Sequence, residues 1–429
     1  MYFRSMDKVQ KIVLSSLIIT AISLTGLDAI AQTSQGWRGP ARNGVYPETG
    51  LLKSWPVGGP QLLWEVIDAG KGFSSPVVYG DKVFITGMDE EEKNEILTAY
   101  TLGGKKIYQV TYGPIWDKSF PDSRTTPTAT SNKIYVITGK GKVVCMNIAD
   151  GKIIWTVDGE STFGVVTNDW GVTESPLVFD NKVIFTPGGN QTTMVALDAA
   201  TGKTLWMTPS LKDTCSHVSP LLITHNGIKQ IIGFSGEYVY GVNPENGDML
   251  WKFNDWGFIP DEGQMAGICV NTPLYHNGKL FISNAYEMRS HALELNEDAS
   301  AVKLLWRNDD LSVHTGGMIL LNGIVYGSNW LNNSNGTWVT LDWNTGKTRF
   351  KEAWSGHSKG SIIAADNMIF IYEERQGTVA LVKQDPDNPE IISSFRITKG
   401  EGTHWAHPAI YNGTLYIRRG STLLAYKIK

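Results

Sequence analysis

Five of the eight histidines in this 429-residue chain stand in short windows that recur along the sequence. The five are His217, His314, His357, His404 and His407. Because a histidine changes charge near neutral pH, several of them close together can exchange protons with a substrate, bind an anion or hold a metal. We take His217, His314 and His404 as candidate catalytic residues. Only His404-x-x-His407 has a metal-like spacing, which is weak by itself, so no metal site is predicted.

Charged and aromatic residues occupy the same windows as the histidines. Together these side chains favour an anionic or carbonyl-bearing ligand, since they combine cations, hydrogen-bond donors and an aromatic ring. The predicted ligand-binding residues of the windows are Arg124, Glu174, His357, Lys359, Trp405 and His407. The alternative is that these side chains hydrogen-bond to the backbone around them and only fill a channel.

Two longer loops share the sequence Asn-Asp-Trp-Gly, which places an Asp and a Trp side by side in each. Trp170 and Trp256 are predicted to bind the ligand, because an indole ring can stack on a sugar or a quinone. Asp169 and Asp255 stand beside them as candidate catalytic bases. The alternative is a duplicated loop whose Trp packs against the protein itself.

The elements that position these residues form a repeat of about 47 residues, which is typical of four-stranded propeller blades. Each unit opens with a small residue, usually followed by Pro, and continues as two β-rich runs around a tight turn. The eight units begin at Ser75-Pro76, Thr126-Pro127, Ser175-Pro176, Ser219-Pro220, Thr272-Pro273, Gly317-Met318, Ser361-Ile362 and His407-Pro408. Because the candidate residues lie at or just before these starts, a ring of blades would gather them at one mouth of its central channel.

The second half of each unit predicts two further strands. The segment from Val195 to Trp206 reads as a strand, a turn that contains Gly, and a fourth strand that ends in a large aromatic residue. Seven such fourth strands follow the openings, and the eighth is found near the N-terminus, at residues 62–66. We therefore predict an all-β, eight-bladed β-propeller of four-stranded antiparallel blades over residues 62–429, whose ring is closed by an N-terminal strand.

One unit carries the signature Ala196-x-Asp198-x-x-Thr201-Gly202-x-x-x-Trp206, and several others carry part of it. On these residues the chain resembles the pyrroloquinoline-quinone-like (PQQ-like) repeat propellers over residues 62–429. That family includes quinoprotein alcohol dehydrogenases and the propeller lipoprotein of the outer-membrane β-barrel assembly machinery. The segment Trp-Arg-Gly-Pro-Ala-Arg-Asn-Gly at 37–44 also looks like the opening of many exported bacterial members.

The resemblance implies pyrroloquinoline quinone with calcium if the chain is a dehydrogenase, but the cofactor stays open. The sequence departs from those enzymes, since it has no adjacent cysteines and no Cys-x-x-Cys-His motif, and their calcium ligands and catalytic Asp cannot be placed on it. It departs from the assembly lipoprotein in having no Cys near the expected cleavage site. Of its three cysteines, Cys145 is expected to be a buried thiol, and a disulfide between Cys215 and Cys269 is left open.

The N-terminus predicts export. Three basic residues within the first eleven precede an apolar stretch that ends in Ala29-Ile30-Ala31, as in a secretory signal peptide. An uncleaved membrane anchor is the alternative, although polar residues interrupt the apolar stretch. We divide the chain into a signal peptide (1–31), an N-terminal extension (32–61) and the propeller (62–429). The expected product is a periplasmic or secreted protein with no membrane span after cleavage.

The charge balance excludes one class of partner. With 38 Lys and Arg against 42 Asp and Glu, the chain offers no basic surface for nucleic acid. No P-loop, nucleophile elbow or dinucleotide-binding glycine motif occurs, which argues against a nucleotide-handling α/β enzyme. We predict a monomeric binding module whose partner is a small polar ligand, a carbohydrate or an envelope protein. The alternative is a quinoprotein-type dehydrogenase that oxidises an alcohol or a sugar, with Asp169 or Asp255 as its base.

Overall fold

The computed structural model describes residues 34–255, 269–286 and 289–429. The predicted signal peptide and Trp256 lie outside the described residues. In the described parts the chain is β-structure apart from one short helix, α1 (Gly159–Phe163), whose first turn is capped by the side chain of Asp158. No helix in these three ranges has the length and apolarity that a bilayer crossing demands. The all-β prediction is confirmed.

Within the described residues the strands fall into eight sheets. Three short strands precede the first complete blade: β1 (Ser34–Gln35), β2 (Val45–Tyr46) and β3 (Leu62–Val66). Blades 1 to 4 then contain, four strands to a blade, β4 (Val77–Tyr79), β5 (Lys82–Met88), β6 (Asn94–Thr101), β7 (Lys106–Pro114), β8 (Thr128–Thr130), β9 (Lys133–Ile137), β10 (Lys142–Asn147), β11 (Ile153–Asp158), β12 (Leu177–Phe179), β13 (Lys182–Phe185), β14 (Val195–Asp198), β15 (Thr204–Met207), β16 (Leu221–His225), β17 (Ile228–Phe234), β18 (Tyr238–Val242) and β19 (Met249–Asn254).

The remaining four blades repeat this arrangement. Blades 5 to 7, followed by the three strands of blade 8, contain β20 (Leu274–His276), β21 (Lys279–Ser283), β22 (Ser290–Leu295), β23 (Val302–Asn308), β24 (Val313–Leu321), β25 (Ile324–Trp330), β26 (Gly336–Asp342), β27 (Thr348–Glu352), β28 (Gly360–Ala365), β29 (Met368–Glu373), β30 (Thr378–Lys383), β31 (Ile391–Arg396), β32 (Ala409–Tyr411), β33 (Thr414–Arg419) and β34 (Thr422–Lys427). Within blades 1 to 7, and among the three C-terminal strands of blade 8, the neighbouring blade strands are consecutive in the chain and antiparallel.

Blade 8 obtains its fourth strand from the N-terminal part of the chain. β3 pairs antiparallel with β34, and Leu62 lies opposite Tyr426 while Val66 lies opposite Leu423. This pairing joins the last blade to the start of the chain and closes the ring. The predicted number of blades and the predicted closing strand are both confirmed.

Two further segments of the N-terminal extension join the sheets. β1 pairs antiparallel with β8, the innermost strand of blade 2, and β2 pairs parallel with β28, the innermost strand of blade 7. Trp55 is buried against Phe395, with ring centroids 5.3 Å apart. The described part of the extension is therefore packed into the propeller and passes along its channel.

The aromatic residue that ends a fourth strand packs onto the turn of the next blade. The indole of Trp155 lies over Gly202, and its Nε1 donates to the Ala199 carbonyl at 3.2 Å. Trp206 lies over Gly247 in the same way. Since a Cβ at either glycine would overlap the indole, and both glycines have positive φ, Gly is required opposite the aromatic ring at this spacing. This contact explains the repeated signature.

A buried arginine links the last blade to the first. The guanidinium of Arg418, in β33, donates to the carbonyls of Ser74, Thr86 and Gly70 at 3.2, 2.7 and 2.7 Å. Arg418 is fully buried, so these bonds satisfy backbone oxygens that water cannot reach. Together with β3 they hold the two ends of the ring.

Candidate functional site

The Ser or Thr that begins a blade bonds to the preceding blade. The Thr126 hydroxyl accepts the backbone N–H of Ser75 at 2.9 Å. The hydroxyl of Ser175 accepts that of Thr126 at 3.2 Å, and the hydroxyl of Ser219 accepts that of Ser175 at 2.9 Å. This chain of bonds draws the first four blade starts together around the channel. The residues just before them consequently lie at a common mouth.

His217 is held at this mouth by both ring nitrogens. Its Nε2 accepts a hydrogen bond from the Asn168 side chain at 2.9 Å, and its Nδ1 lies 2.9 Å from the Thr173 hydroxyl. That hydroxyl in turn donates to the His217 carbonyl at 3.2 Å, so Nδ1 carries the proton and the ring is neutral. Burial, with the charge of Arg124, lowers the pKa of His217 to about 3.

His314 lies near a buried ion pair. Its Nε2 is 3.0 Å from the hydroxyl of Tyr286, and its buried Nδ1 has no hydrogen-bond partner among the described residues. The Lys359 ammonium pairs with the Glu374 carboxylate, and both side chains are buried. Burial and the charge of Lys359 lower the pKa of His314 to about 4, and burial lowers the pKa of Lys359 to about 8.

The two C-terminal histidines are also engaged by the protein. Nδ1 of His404 is 2.6 Å from the hydroxyl of Tyr372, and burial lowers the pKa of His404 to about 4. His407 donates from Nε2 to the Thr315 carbonyl at 2.7 Å and accepts at Nδ1 from Arg38 at 3.0 Å. Burial, with the charge of Arg38, lowers the pKa of His407 to about 3. Both rings are therefore neutral and oriented.

Arg124 ties two mouth loops together. Its guanidinium donates to the carbonyls of Trp170 and Phe120, and to that of Ser119 at 2.9 Å. The Ser119 hydroxyl donates to the Asp169 carbonyl at 2.5 Å. Trp170 is half-buried and stands edge-on to the ring of His217, with ring centroids 6.2 Å apart. The predicted residues Arg124, Trp170 and His217 thus come together, while Arg124 and His217 are bonded to loop atoms.

Glu174 is buried beneath these loops. Its Oε1 accepts the backbone N–H of Thr186 at 2.7 Å. Burial raises the pKa of Glu174 to about 7, although the charge of Arg42 acts in the opposite direction. Glu174 therefore keeps its proton to a higher pH than an exposed glutamate does.

An aromatic patch, formed by Phe73, Phe120 and Trp405, lies at the same mouth between blades 8 and 1. Trp405 is in contact with both phenylalanines, at ring-centroid distances of 5.0 Å to Phe73 and 5.7 Å to Phe120. The side chain of Phe120 is 53% exposed, and its φ of 42° lies in the left-handed region that aromatic residues rarely adopt. The sequence identified Trp405 but not its two partners.

Two predicted residues lie elsewhere. His357 lines a cleft of about 400 Å³ with Phe350, Trp354 and Ile391, between the outer strands of blades 6 and 7. Asp255 is buried, 3.0 Å from Nε2 of His291, and also accepts from the Asn284 amide at 2.7 Å. The second Asn-Asp-Trp-Gly loop therefore places its Asp in a buried polar cluster.

A family described as outer membrane protein assembly factor BamB matches residues 93–352, more than half of the chain. This chain belongs to that family of PQQ-like repeat propellers. The predicted family is confirmed.

Curated relatives share sequence with this chain at low identity. The chain is 24% identical over 222 residues to the outer membrane protein assembly factor BamB of Shewanella oneidensis. This match covers 49% of this chain and 51% of that protein. The matches to curated relatives span about a third to a half of those proteins' lengths.

Two solved structures share the fold. BamB from Moraxella catarrhalis has a TM-score of 0.62 at 14% identity, covering 86% of this chain and all of that one. Quinohemoprotein alcohol dehydrogenase from Comamonas testosteroni has a TM-score of 0.64 at 13% identity, covering 90% of this chain and 79% of that one. Likeness at this identity shows the fold and does not choose between the two functions.

A calcium ion beside a quinone would require a cluster of oxygen ligands at the mouth. No three His, Cys, Asp or Glu side chains gather as a metal site within the described residues. All three cysteines are buried and free, so Cys215 and Cys269 form no disulfide.

Two arginines that the sequence analysis did not select occupy the channel. Arg38 and Arg42 come from the extension, are 3% and 8% exposed, and bond to backbone carbonyls at the starts of several blades. The signal that could have found them was the Trp-Arg-Gly-Pro-Ala-Arg-Asn-Gly segment, which appeared only as a family likeness.

Proposed function

We propose that this chain is a non-catalytic, protein-binding module of the cell envelope that takes part in outer-membrane protein assembly. The observation that carries the proposal is the state of four histidines, His217, His314, His404 and His407, which we call the mouth histidines. Each is neutral, with its pKa lowered by burial, and each bonds to the protein's own groups. Because an acid or base works best with a pKa near the operating pH, these rings are poorly suited to exchange protons with a substrate.

The aromatic patch supplies the docking point of the module. An exposed aromatic side chain held in a strained backbone conformation persists only where the surrounding structure fixes it, and such strain is typical of functional sites. Phe120 is fixed in this way, because Arg124 binds its carbonyl while Trp405 supports its ring. Aromatic anchors that are supported from below commonly carry most of the binding free energy of a protein interface.

The partner that suits this patch is a protein segment with an apolar or aromatic side chain. The rim of the patch is polar on the loop side, where Asp122 and the Arg124 guanidinium follow Phe120 in the chain. An apolar centre with a polar rim is the usual anatomy of a reversible protein interface. Support for assembly as the setting comes from the family match and from relatives named as assembly factors.

A photo-crosslinking amino acid at position 120 of the full chain, expressed in its own bacterium, tests this function. We expect a crosslink to a component of the outer-membrane protein assembly apparatus, since position 120 would face the partner. The matched control is position 57, where Val57 is fully exposed in the extension. Crosslinks of equal yield to the same component from both positions, or none from position 120, would overturn the proposed docking face.

The dehydrogenase alternative is tested by titration of pyrroloquinoline quinone, with and without calcium, into the purified chain. The proposal expects no heat of binding and no dye-linked oxidation of alcohols or sugars. Tight binding with turnover would replace the proposed function by a quinoprotein dehydrogenase. Heat without turnover would make the mouth a small-molecule receptor and would equally overturn a purely protein-binding role.

The envelope location is part of the same proposal. Its support is the sequence pattern that ends at Ala31 and the naming of the relatives as outer-membrane assembly factors. N-terminal sequencing of the protein recovered from its own bacterium should give a first residue of Gln32. A chain that retains Met1 would refute cleavage.

A further inference from the structure

Residues 36–44, which we name the axial clasp, run along the channel between β1 and β2. Because β1 pairs with blade 2 and β2 with blade 7, the clasp is held at both of its ends. Its two arginines face opposite halves of the ring. Arg42 contacts blades 2, 3 and 4, whereas Arg38 contacts blades 6, 7 and 8.

The guanidinium of Arg42 is surrounded by backbone oxygens. Nη1 donates to the carbonyls of Ser175 and Pro220 at 3.2 and 3.1 Å. Nη2 donates to the carbonyl of Pro176 and to the Thr128 hydroxyl at 3.4 Å. The oxygens belong to residues at or next to the Ser-Pro starts of successive blades, so one planar fork joins three blades.

Arg38 has an equivalent set of acceptors on the other side. Nη1 donates to the Ile362 carbonyl at 3.2 Å and lies 3.0 Å from Nδ1 of His407. Nη2 donates to the carbonyl of Met318. Both clasp arginines also have positive φ, 59° for Arg38 and 54° for Arg42, a strain that the bonds must outweigh.

The sequence of the blades is adapted to this arginine. Blades 6 and 7 are the two whose starts lack Pro, with Gly317-Met318 and Ser361-Ile362 instead. Gly317 has a φ of 72°, and a Cβ there would overlap Nη1 of Arg38. A Cβ on Gly44 would overlap Nη2. The glycine at the start of blade 6 therefore makes room for the guanidinium of Arg38.

We propose that the axial channel is a binding site for arginine-bearing peptide segments, filled in cis by the clasp and able to accept a guanidinium from solution when an arginine is removed. The acceptors are neutral and are divided between Nη1 and Nη2 of each arginine, so they select the fork of a guanidinium over the single centre of an ammonium. The ligand class is a peptide with two arginines four residues apart, as in Arg38-Gly-Pro-Ala-Arg42. This site is separate from the aromatic patch and does not depend on the proposed docking function.

Chemical rescue in the full chain tests the site. Arg42→Ala leaves several buried carbonyls without donors, so we expect a lower melting temperature. Millimolar methylguanidinium should restore most of that loss, whereas methylammonium should not. The melting temperature of wild-type protein should not respond to either, nor should that of Arg349→Ala, which removes an exposed arginine that pairs with Asp387. Equal responses to both cations, or no rescue, would overturn the proposal.

A second experiment keeps the test decisive if Arg42→Ala does not fold. A protease site inserted after Val57, whose side chain is fully exposed, allows the folded full chain to be cut. A labelled peptide of residues 34–57 should then exchange with the bound segment at one copy per chain. The same peptide with both arginines replaced by lysine should bind at least about tenfold more weakly. Equal uptake of the two peptides, or no exchange at all, would refute a guanidinium-selective site.

Discussion

Lowering the pH from 7 to 5 probes the mouth histidines, because they remain neutral in the folded chain and become charged when it unfolds. Against 6.5 in the unfolded chain, burial lowers the pKa of His217 and His407 to about 3 and that of His314 and His404 to about 4. The folded state thus binds fewer protons than the unfolded state below pH 6.5. The stabilising contribution of each neutral ring is complete above that pH and is lost as the pH falls towards the folded-state pKa.

The size of the loss follows from these shifts. Each histidine costs about 2 kcal/mol of unfolding free energy between pH 7 and 5, since one pKa unit corresponds to about 1.4 kcal/mol. Glu174 acts in the opposite direction: its raised pKa increases the unfolding free energy by about 2 kcal/mol as the pH falls from 7 to 5, because the folded form takes up a proton. The net loss is therefore about 6 kcal/mol at most. His217 and His314 are only half-buried, so we expect ~3 kcal/mol after allowance for solvent.

Urea unfolding followed by tryptophan fluorescence at pH 7 and 5 measures this loss. In His407→Gln an amide can still accept from Arg38 and donate to the Thr315 carbonyl, but it does not titrate, so the loss should shrink by ~1 to 2 kcal/mol. His276→Gln, at an exposed turn, is the matched control and should behave as wild type. A loss in His407→Gln as large as in wild type, or no loss in wild type, would refute the reasoning.

Three further outcomes are expected. Arg418→Met should lower the unfolding free energy by about 3 kcal/mol or more, because it leaves buried carbonyls between two blades without a hydrogen-bond donor. An unchanged urea midpoint would contradict this. Glu174→Gln should stabilise the chain by ~1 to 3 kcal/mol at pH 8 and little at pH 5. The reason is that the raised pKa of Glu174 makes the wild-type chain lose stability as the pH rises through about 7. Equal effects at both pH values would count against it. Burial raises the thiol pKa of Cys145 to about 11 and that of Cys215 to about 12, and it raises the pKa of Cys269 well above its usual value. A thiol reagent should therefore modify all three only after unfolding, and rapid labelling of the folded protein would be inconsistent with that.

The fold was predictable because its signals are local and repeated. A strand, a Gly turn and a terminal aromatic recur at a near-constant period, and the contact of Trp155 with Gly202 shows why those two types must appear together. The missing fourth strand was equally visible, since only one segment near the N-terminus had the right pattern. The number of blades and the closure of the ring follow from counting these repeated strands, and they can be predicted without knowledge of side-chain contacts.

The site was less predictable because it depends on long-range burial. A histidine window indicates position along a blade but not whether the ring nitrogens will find partners, and His217 is neutral only because residues from another loop bond to it. His357 shares the pattern yet lines a separate cleft. The axial role of Arg38 was hidden, because its acceptors lie in blades 6 to 8, far along the chain.

The closing pair of strands also sets the order in which the molecule can be completed. β3 emerges early from the ribosome, but its partner β34 lies at the far end of the chain, so blade 8 cannot form until synthesis and any translocation are finished. Pairings this distant in sequence are slow to form, and an open ring exposes strand edges that other chains can pair with. A circular permutant with new ends between blades 4 and 5 would make blade 8 from one continuous stretch. Such a chain should close its ring with less delay and aggregate less during refolding. The risk of aggregation would then come from the position of the chain ends and not from the blades themselves.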